Sequence, residues 1–479
     1  MESSKYDIIV IGAGSGGLGV SLFMAKVGLK VLLVDKSDKH IGGDCLNYGC
    51  VPSKALIHAS RLVHQAQAGI AFGIYADGKP DLEKVMHYIY EKQEHIRKHE
   101  NADYLRREGI DVVLGMAKFV DKDAITVRGI VYKARRIILA TGSRPTKLSV
   151  PGVERVNCID NEHLFTASEL AGRMLVVGGG PIGVEMGQAM NRLGLQVTIV
   201  QSGPQLLAKE EPEIVEILHK RLIDEGMDIR LNTEVKSFEG PYEANLVNRQ
   251  GKTCRINFDS VFVAAGRHFE LENLDLDRAG IEVQNGKIIV NRYLQTSNNR
   301  IFTCGDIAGF MQFSHAAEQH TRLLLNNLFS PLKRKLNNDH MSWVTFSDPE
   351  VATFGLQLSE LKKRKIKYQR LEISFEDDDR AVVDDYQYGK LILYLSPGGL
   401  LRKQRILGGT MIAPQAGELV QELLLANSLK LDIDAIFNKI YPYPVASRVN
   451  QMIIVNEKEK MLKGKLNGVL RGLFRFLNR

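Results

Sequence analysis

Ile8-Ile-Val-Ile11 runs directly into Gly12-Ala-Gly14-Ser-Gly-Gly17. A helical stretch follows from Leu18 to Val27, then a second strand from Lys30 to Val34 that ends at Asp35. Strand, glycine turn, helix, strand and a closing acid form a βαβ unit. In that context the glycines let the backbone approach a pyrophosphate, and the helix N-terminus offers N–H groups to its charge. Asp35 then stands where a ribose hydroxyl is accepted. A βαβ turn that holds no ligand is the alternative reading.

The unit recurs. Met174-Leu-Val-Val177 enters Gly178-Gly-Gly180-Pro-Ile-Gly183, followed by a helix to about Leu193 and the strand Gln196 to Val200. From first glycine to the polar residue at the strand end is 23 positions in both units, but the second ends in Gln201. A glutamine does not repel a 2′-phosphate, and Ser202-Gly203-Pro204 contains no arginine to bind one, so NAD and NADP both stay open. Two such units imply two dinucleotides and a hydride relay between them. Ile137-Ile-Leu-Ala-Thr-Gly-Ser143 and Val261-Phe-Val-Ala-Ala-Gly-Arg267 are apolar strands ending in small residues, suited to crossings between domains. They add Thr141, Gly142 and Gly266 to the candidate cofactor contacts. Ile301-Phe-Thr-Cys-Gly-Asp306 is a further strand, delivering a carboxylate to a turn.

Composition bounds the rest. The 479 residues, 44% hydrophobic and 25% charged, suit two to four globular domains and argue against a disordered or disulfide-stapled chain. Five cysteines, an odd count, favour a reducing cytoplasm. No apolar run is long enough to span a bilayer, and the start lacks the pattern of a signal peptide. Of the formal net charge of +7, residues 460–479 supply +6 without a single acid, so the body is close to neutral. From about Asn338 the pattern changes to strands with charged turns (Asp348-Pro349, Glu376 to Asp379, Pro397-Gly-Gly399), which marks a separate α+β domain.

Gly42-Gly-Asp-Cys45-Leu-Asn-Tyr-Gly-Cys50-Val-Pro-Ser-Lys54 carries the chemistry. Two cysteines five apart at a glycine-flanked turn are a metal half-site, a disulfide or chance. A zinc site needs four ligands, and no second Cys/His pair has matching spacing. A dithiol that exchanges two electrons beside a flavin fits better.

With these residues in place the sequence resembles the FAD-dependent pyridine nucleotide-disulfide oxidoreductases, the family of lipoamide dehydrogenase, glutathione reductase and mercuric reductase. The resemblance spans roughly residues 5–455 and implies two Rossmann-like domains plus a C-terminal α+β dimerisation domain. It implies a flavin domain over 1–147 and 267–336, a nicotinamide domain over 148–266, an interface domain over 337–456 and a tail over 457–479. The homodimer would carry FAD with NAD or NADP, and would serve a small-molecule or disulfide acceptor. Gly12, Gly14, Gly17, Asp35 and Asp306 match the family's FAD contacts, and Gly178, Gly180 and Gly183 its nicotinamide-dinucleotide turn. Cys50 matches the thiol beside the flavin, and Cys45 the outer thiol that meets substrate. Lys54 and Glu185 resemble the ion pair near the flavin. Cys158, Cys254 and Cys304 match no redox position and read as small apolar fillers.

Two stretches depart from the pattern. Lipoamide dehydrogenase and glutathione reductase carry His-Pro-x-x-x-Glu, a partner-supplied acid/base. The matching stretch here is Tyr443-Pro-Val-Ala-Ser-Arg448, and a shift by two places Tyr441 there instead. A phenol titrating near pH 10 is a poor base for a thiol. Tyrosine near that position resembles mercuric reductase, yet the cysteine pair of that enzyme's C-terminus has no counterpart after Cys304. The second departure is the tail. At 100° per residue Leu462, Leu466, Val469, Leu470, Leu473, Phe474, Phe476 and Leu477 share a face, the bases mostly oppose them, and Gly464, Gly468 and Gly472 are interspersed. Such a helix lies on an anionic membrane surface, or docks on the protein body or partner subunit. Its bulky apolar stripe has no use on nucleic acid.

The expected activity is therefore an oxidoreductase cycling Cys45–Cys50, dihydrolipoamide dehydrogenase-like in its core, cytoplasmic and possible as a peripheral protein on the inner membrane face. A mercuric reductase-like or quinone-directed enzyme is the alternative, and a membrane redox sensor the rival from another class.

Overall fold

The computed structural model describes residues 4–76, 78–167, 170, 172–398, 403–463 and 467–478. They fall into two compact units, Met1–Leu206 with Glu225–Leu336, and Leu207–Asp224 with Asn337–Arg479.

The first unit is built on two mainly parallel sheets. In the first, Ser4–Ile11 lies between Val31–Asp35 and Ile130–Leu139, and the late strand Ile301–Thr303 returns to pair in parallel with Ile130–Leu139. A sheet covered on both faces needs apolar side chains on both faces of each strand. Ile8, Val10, Val31 and Leu33 pack into one core, while Ile9, Ile11, Leu32 and Val34 pack into another. The uninterrupted Ile/Val/Leu runs of the sequence follow from this. In the second sheet Arg173–Val177 is flanked by Gln196–Val200 and Ser260–Val263, with Asp228–Arg230 and Cys158–Ile159 at the edges, all parallel. A three-stranded antiparallel ribbon, Thr233–Gly240, Glu243–Asn248 and Thr253–Asn257, joins its core.

The second unit holds a five-stranded antiparallel sheet with strands Ser342–Thr345, Glu350–Gly355, Ile406–Ala413, Lys390–Leu395 and Gln369–Ser374, in that order. Helix Pro212–Asp224, within the span expected for the nicotinamide domain, groups with this unit instead. Glu211 and Glu213 fix it there: Glu211 accepts from the Tyr394 hydroxyl at 2.7 Å and Glu213 from Arg370 at 2.6 Å. Sequence periodicity gives a helix but not the partner of its apolar face. The acidic run at Glu376–Asp379 is more than a solvated turn. Asp378 caps helix Asp379–Val383 by accepting from the Ala381 N–H at 3.0 Å.

The tail does not begin at 457. Helix Val449–Lys463 starts earlier and Asn467–Leu477 forms a separate helix. Gly464, Lys465, Leu466, Gly399 and Arg479 lie outside the described residues. Among the described residues no helix is long and apolar enough to cross a membrane.

Candidate active site

The two glycine turns are built alike, and their glycines have different tasks. A Cβ on Gly12 would stand 2.3 Å from the Ala140 carbonyl oxygen, and one on Gly178 would stand 2.4 Å from that of Ala264. A Cβ on Gly17 would meet the Gly12 oxygen at 1.8 Å, and one on Gly183 the Gly178 oxygen at 1.9 Å. These four glycines serve close chain packing. Gly180 faces open space, and a Cβ on Gly14 would meet only Gly43 Cα at 3.6 Å, so the middle glycine of each turn is where a phosphate group can pass. Both turns lead into helices, Ser15–Lys26 and Pro181–Arg192, whose N-termini have no side-chain cap, leaving their N–H groups for an anion.

The equal spacing has a structural reason. Asp35 Oδ2 accepts from the Ala13 N–H at 2.6 Å, and Gln201 Oε1 accepts from the Gly179 N–H at 2.8 Å. The strand-end side chain thus pins the second residue of its own turn in each unit. Asp35 also accepts from the Lys36 N–H at 2.7 Å. Burial raises its carboxyl above the usual range, opposed by these two N–H groups. Thr141 Oγ1 is buried with no hydrogen-bond partner, and Gly142 and Gly266 take positive φ (70° and 126°). An orphaned hydroxyl, an uncapped helix start and an open middle glycine fit a dinucleotide at the 12–17 turn. Asp306 opens the short turn after Ile301–Thr303. Its Oδ2 accepts from Ser143 Oγ at 2.5 Å, and that hydroxyl accepts from Arg267 Nε at 2.7 Å.

Cys45 lies in the short helix Gly43–Asn47, and Cys50 is the first residue of helix Cys50–Ala68. Both cysteines are free. Cys50 is lowered to about 6 by the Cys45 hydrogen bond first, against burial, and then by Ser314 and the Lys54 charge. Cys45 is raised by holding the shared proton and by burial. Cys50 Sγ lies 3.3 Å from Ser314 Oγ, and Ser314 opens helix Ser314–Phe329. Two helix N-termini therefore meet at this sulfur, an arrangement that favours thiolate. On the same helix as Cys50, Lys54 Nζ donates to Glu185 Oε2 at 2.8 Å, with the carboxylate side chain only 7% exposed.

Tyr443 belongs to the second unit, with 69% of its surface exposed. Its hydroxyl donates to Asp379 Oδ2 at 3.1 Å and the Arg448 guanidinium lies 5.6 Å from its ring centre. The hydrogen bond to Asp379 raises the phenol further above its ordinary value. Tyr441 is raised too, by burial and by its bond to Glu422. Of the remaining cysteines, Cys304 is buried and pushed up to about 12 by burial, as a core filler should be. Cys254 corrects the filler reading, because it is exposed and meets the Arg230 guanidinium at 3.4 Å.

Ser314, Ser143 and Arg267 escaped the sequence reading. Ser314 gives one weak signal, a serine opening an amphipathic helix, and Arg267 directly follows Gly266. Neither signal names its distant partner.

Comparison with known proteins matches residues 6–321 to pyridine nucleotide-disulphide oxidoreductases and residues 341–453 to the dimerisation domain of that family. A dihydrolipoyl dehydrogenase of Thermus scotoductus is 32% identical, covering 92% of this chain and 95% of its own. A mercuric reductase of Lysinibacillus sphaericus is 28% identical, covering 92% of this chain and 81% of its own. The solved HOCl-induced flavoprotein disulfide reductase RclA from Escherichia coli superposes with a TM-score of 0.82 at 23% identity, over 94% of this chain and 99% of that one. The glycine turns, the thiol pair and these matches lead to one statement: the chain belongs to the pyridine nucleotide-disulfide oxidoreductases, whose members depend on FAD and use NAD(P)H.

Proposed function

We propose that the chain passes two electrons from NAD(P)H to a thiol-reactive acceptor through Cys45 and Cys50, with Cys50 acting as the base for Cys45. One observation carries this reading: Cys50 Sγ, at the start of helix Cys50–Ala68, lies 3.3 Å from Ser314 Oγ at the start of a second helix, a setting that favours its thiolate.

The turn at Gly12–Gly17, Asp35 and Asp306 would hold FAD, and the turn at Gly178–Gly183 with Gln201 the nicotinamide dinucleotide. A flavin bound there supplies two-electron exchange between nicotinamide and dithiol. The net change balances without an outside proton. Two electrons and one proton delivered to the Cys45–Cys50 disulfide would break its S–S bond and leave one thiol (Cys45) and one thiolate (Cys50). The Cys45 proton then moves to Cys50 Sγ, and the Cys45 sulfur attacks the acceptor. Lys54 adds positive charge beside Cys50, and Glu185 holds the lysine in place. In this reading Tyr443 has no proton-transfer role. We assign 1–147 with 267–336 to the flavin domain, 148–266 apart from helix Pro212–Asp224 to the nicotinamide domain, and 337–456 to the subunit interface.

The relatives' names supply two acceptors to compare, dihydrolipoamide and mercuric ion. The Tyr443 and Arg448 replacements favour an acceptor that does not require a histidine base, such as a thiophilic metal complex. The test sets NAD⁺ and NADP⁺ reduction by dihydrolipoamide beside NAD(P)H oxidation with disulfides and mercuric thiolates. Turnover of the latter that is lost in Cys45→Ser supports the proposal. Rapid dihydrolipoamide oxidation would instead make this a lipoamide dehydrogenase. Negligible turnover with every acceptor would favour a redox sensor.

A further inference from the structure

Helix Asn467–Leu477 buries none of its residues. Val469, Leu470, Leu473, Phe474, Phe476 and Leu477 are all exposed, from 40% at Leu470 to 71% at Phe476. At 100° per residue these six fill an arc of about 160° with no polar residue among them. The other arc holds Arg471, Arg475, Asn467, Gly468 and Gly472. The apolar arc is far wider than the two-in-seven seam a partner helix would fill. No acid occurs in residues 460–479, which carry six lysines and arginines, so the segment has nothing to pair with a basic protein surface and much to pair with phosphates. Gly468 and Gly472 weaken the isolated helix by about 1 kcal/mol each relative to alanine, so its stability depends on what it lies against.

We propose that this helix lies in the surface of an anionic lipid bilayer, its leucines and phenylalanines among the acyl chains and its arginines at the headgroup phosphates. The charge segregation and the wholly exposed apolar arc together argue for this occupant, and the enzyme would work as a peripheral protein held at the membrane.

The test uses the full-length, flavin-loaded protein and co-sedimentation with phosphatidylcholine vesicles, with and without phosphatidylglycerol. Binding is expected only with phosphatidylglycerol and is released by salt. Arg471→Gln with Arg475→Gln should weaken it about 30-fold, roughly fivefold for each charge. Leu473→Ser with Phe474→Ser should weaken it more than about tenfold, while flavin content and dimer mass stay unchanged. Equal binding to neutral vesicles, or binding indifferent to these substitutions, would overturn the proposal. So would a Leu473→Ser/Phe474→Ser protein that falls to monomers and never bound vesicles, because the helix would then be a subunit contact.

Discussion

Replacing Ser314 with alanine removes the hydroxyl that lies 3.3 Å from Cys50 Sγ and leaves the helix start in place. A hydrogen bond to a charged group is worth about 1.5–3 kcal/mol, and the low end applies because Cys50 is exposed. At about 1.4 kcal/mol per pH unit, the Cys50 midpoint should rise from about 6 to about 7. The sign follows from which form the hydroxyl stabilises. Losing a donor to the thiolate raises the pH at which the thiol ionises. Iodoacetamide alkylation of Cys50, located by mass spectrometry on the reduced protein, should then slow about fivefold at pH 6 and less than about twofold at pH 8. Ser314→Thr keeps the hydroxyl and should keep the profile. An unchanged profile in Ser314→Ala would refute the view that this helix start helps to set the charge on Cys50.

Other perturbations separate the remaining roles. Lys54→Met removes the cation 2.8 Å from the buried Glu185 carboxylate and should lower stability by about 1–2 kcal/mol in denaturant titration, discounted because Lys54 is 36% exposed; adding Glu185→Leu should recover part of it. Gly183→Ala must displace the Gly178 carbonyl and should lower Tm, whereas Gly180→Ala meets open space and should weaken nicotinamide binding, read by calorimetry, with Tm unchanged. Tyr443→Phe should alter kcat less than about threefold; a fall of about 100-fold or more would mark it as an acid/base. His320 is fully buried and burial lowers it to about 4 from 6.5, so the unfolded chain takes up a proton that the fold refuses. Its contribution is present above pH 6.5 and is lost as pH falls toward 4, by up to about 3 kcal/mol, and His320→Gln should flatten that slope in pH-dependent unfolding.

What the sequence disclosed depended on how local each constraint is. The glycine turns were legible because their spacing is enforced within one βαβ unit, down to the strand-end residue that binds back to its own turn at Ala13 or Gly179. The thiol pair was legible because both cysteines lie within six residues of one loop–helix junction. Lys54 and Glu185 came only through resemblance, since 131 positions separate them. Ser314 lies 264 positions from Cys50 and Arg267 lies 124 from Ser143, and no periodicity links residues that meet only through the order of strands. Helix Pro212–Asp224 was placed by its neighbours in sequence, whereas the acids at its start bond to residues of the antiparallel sheet.

The most direct test of the dithiol mechanism is a thiol count by alkylation and mass spectrometry, before and after anaerobic addition of NAD(P)H to the oxidised holoprotein. The mechanism predicts two new thiols per chain, at Cys45 and Cys50, with one nicotinamide consumed. Nicotinamide oxidation with no gain of thiols at those two cysteines would contradict it.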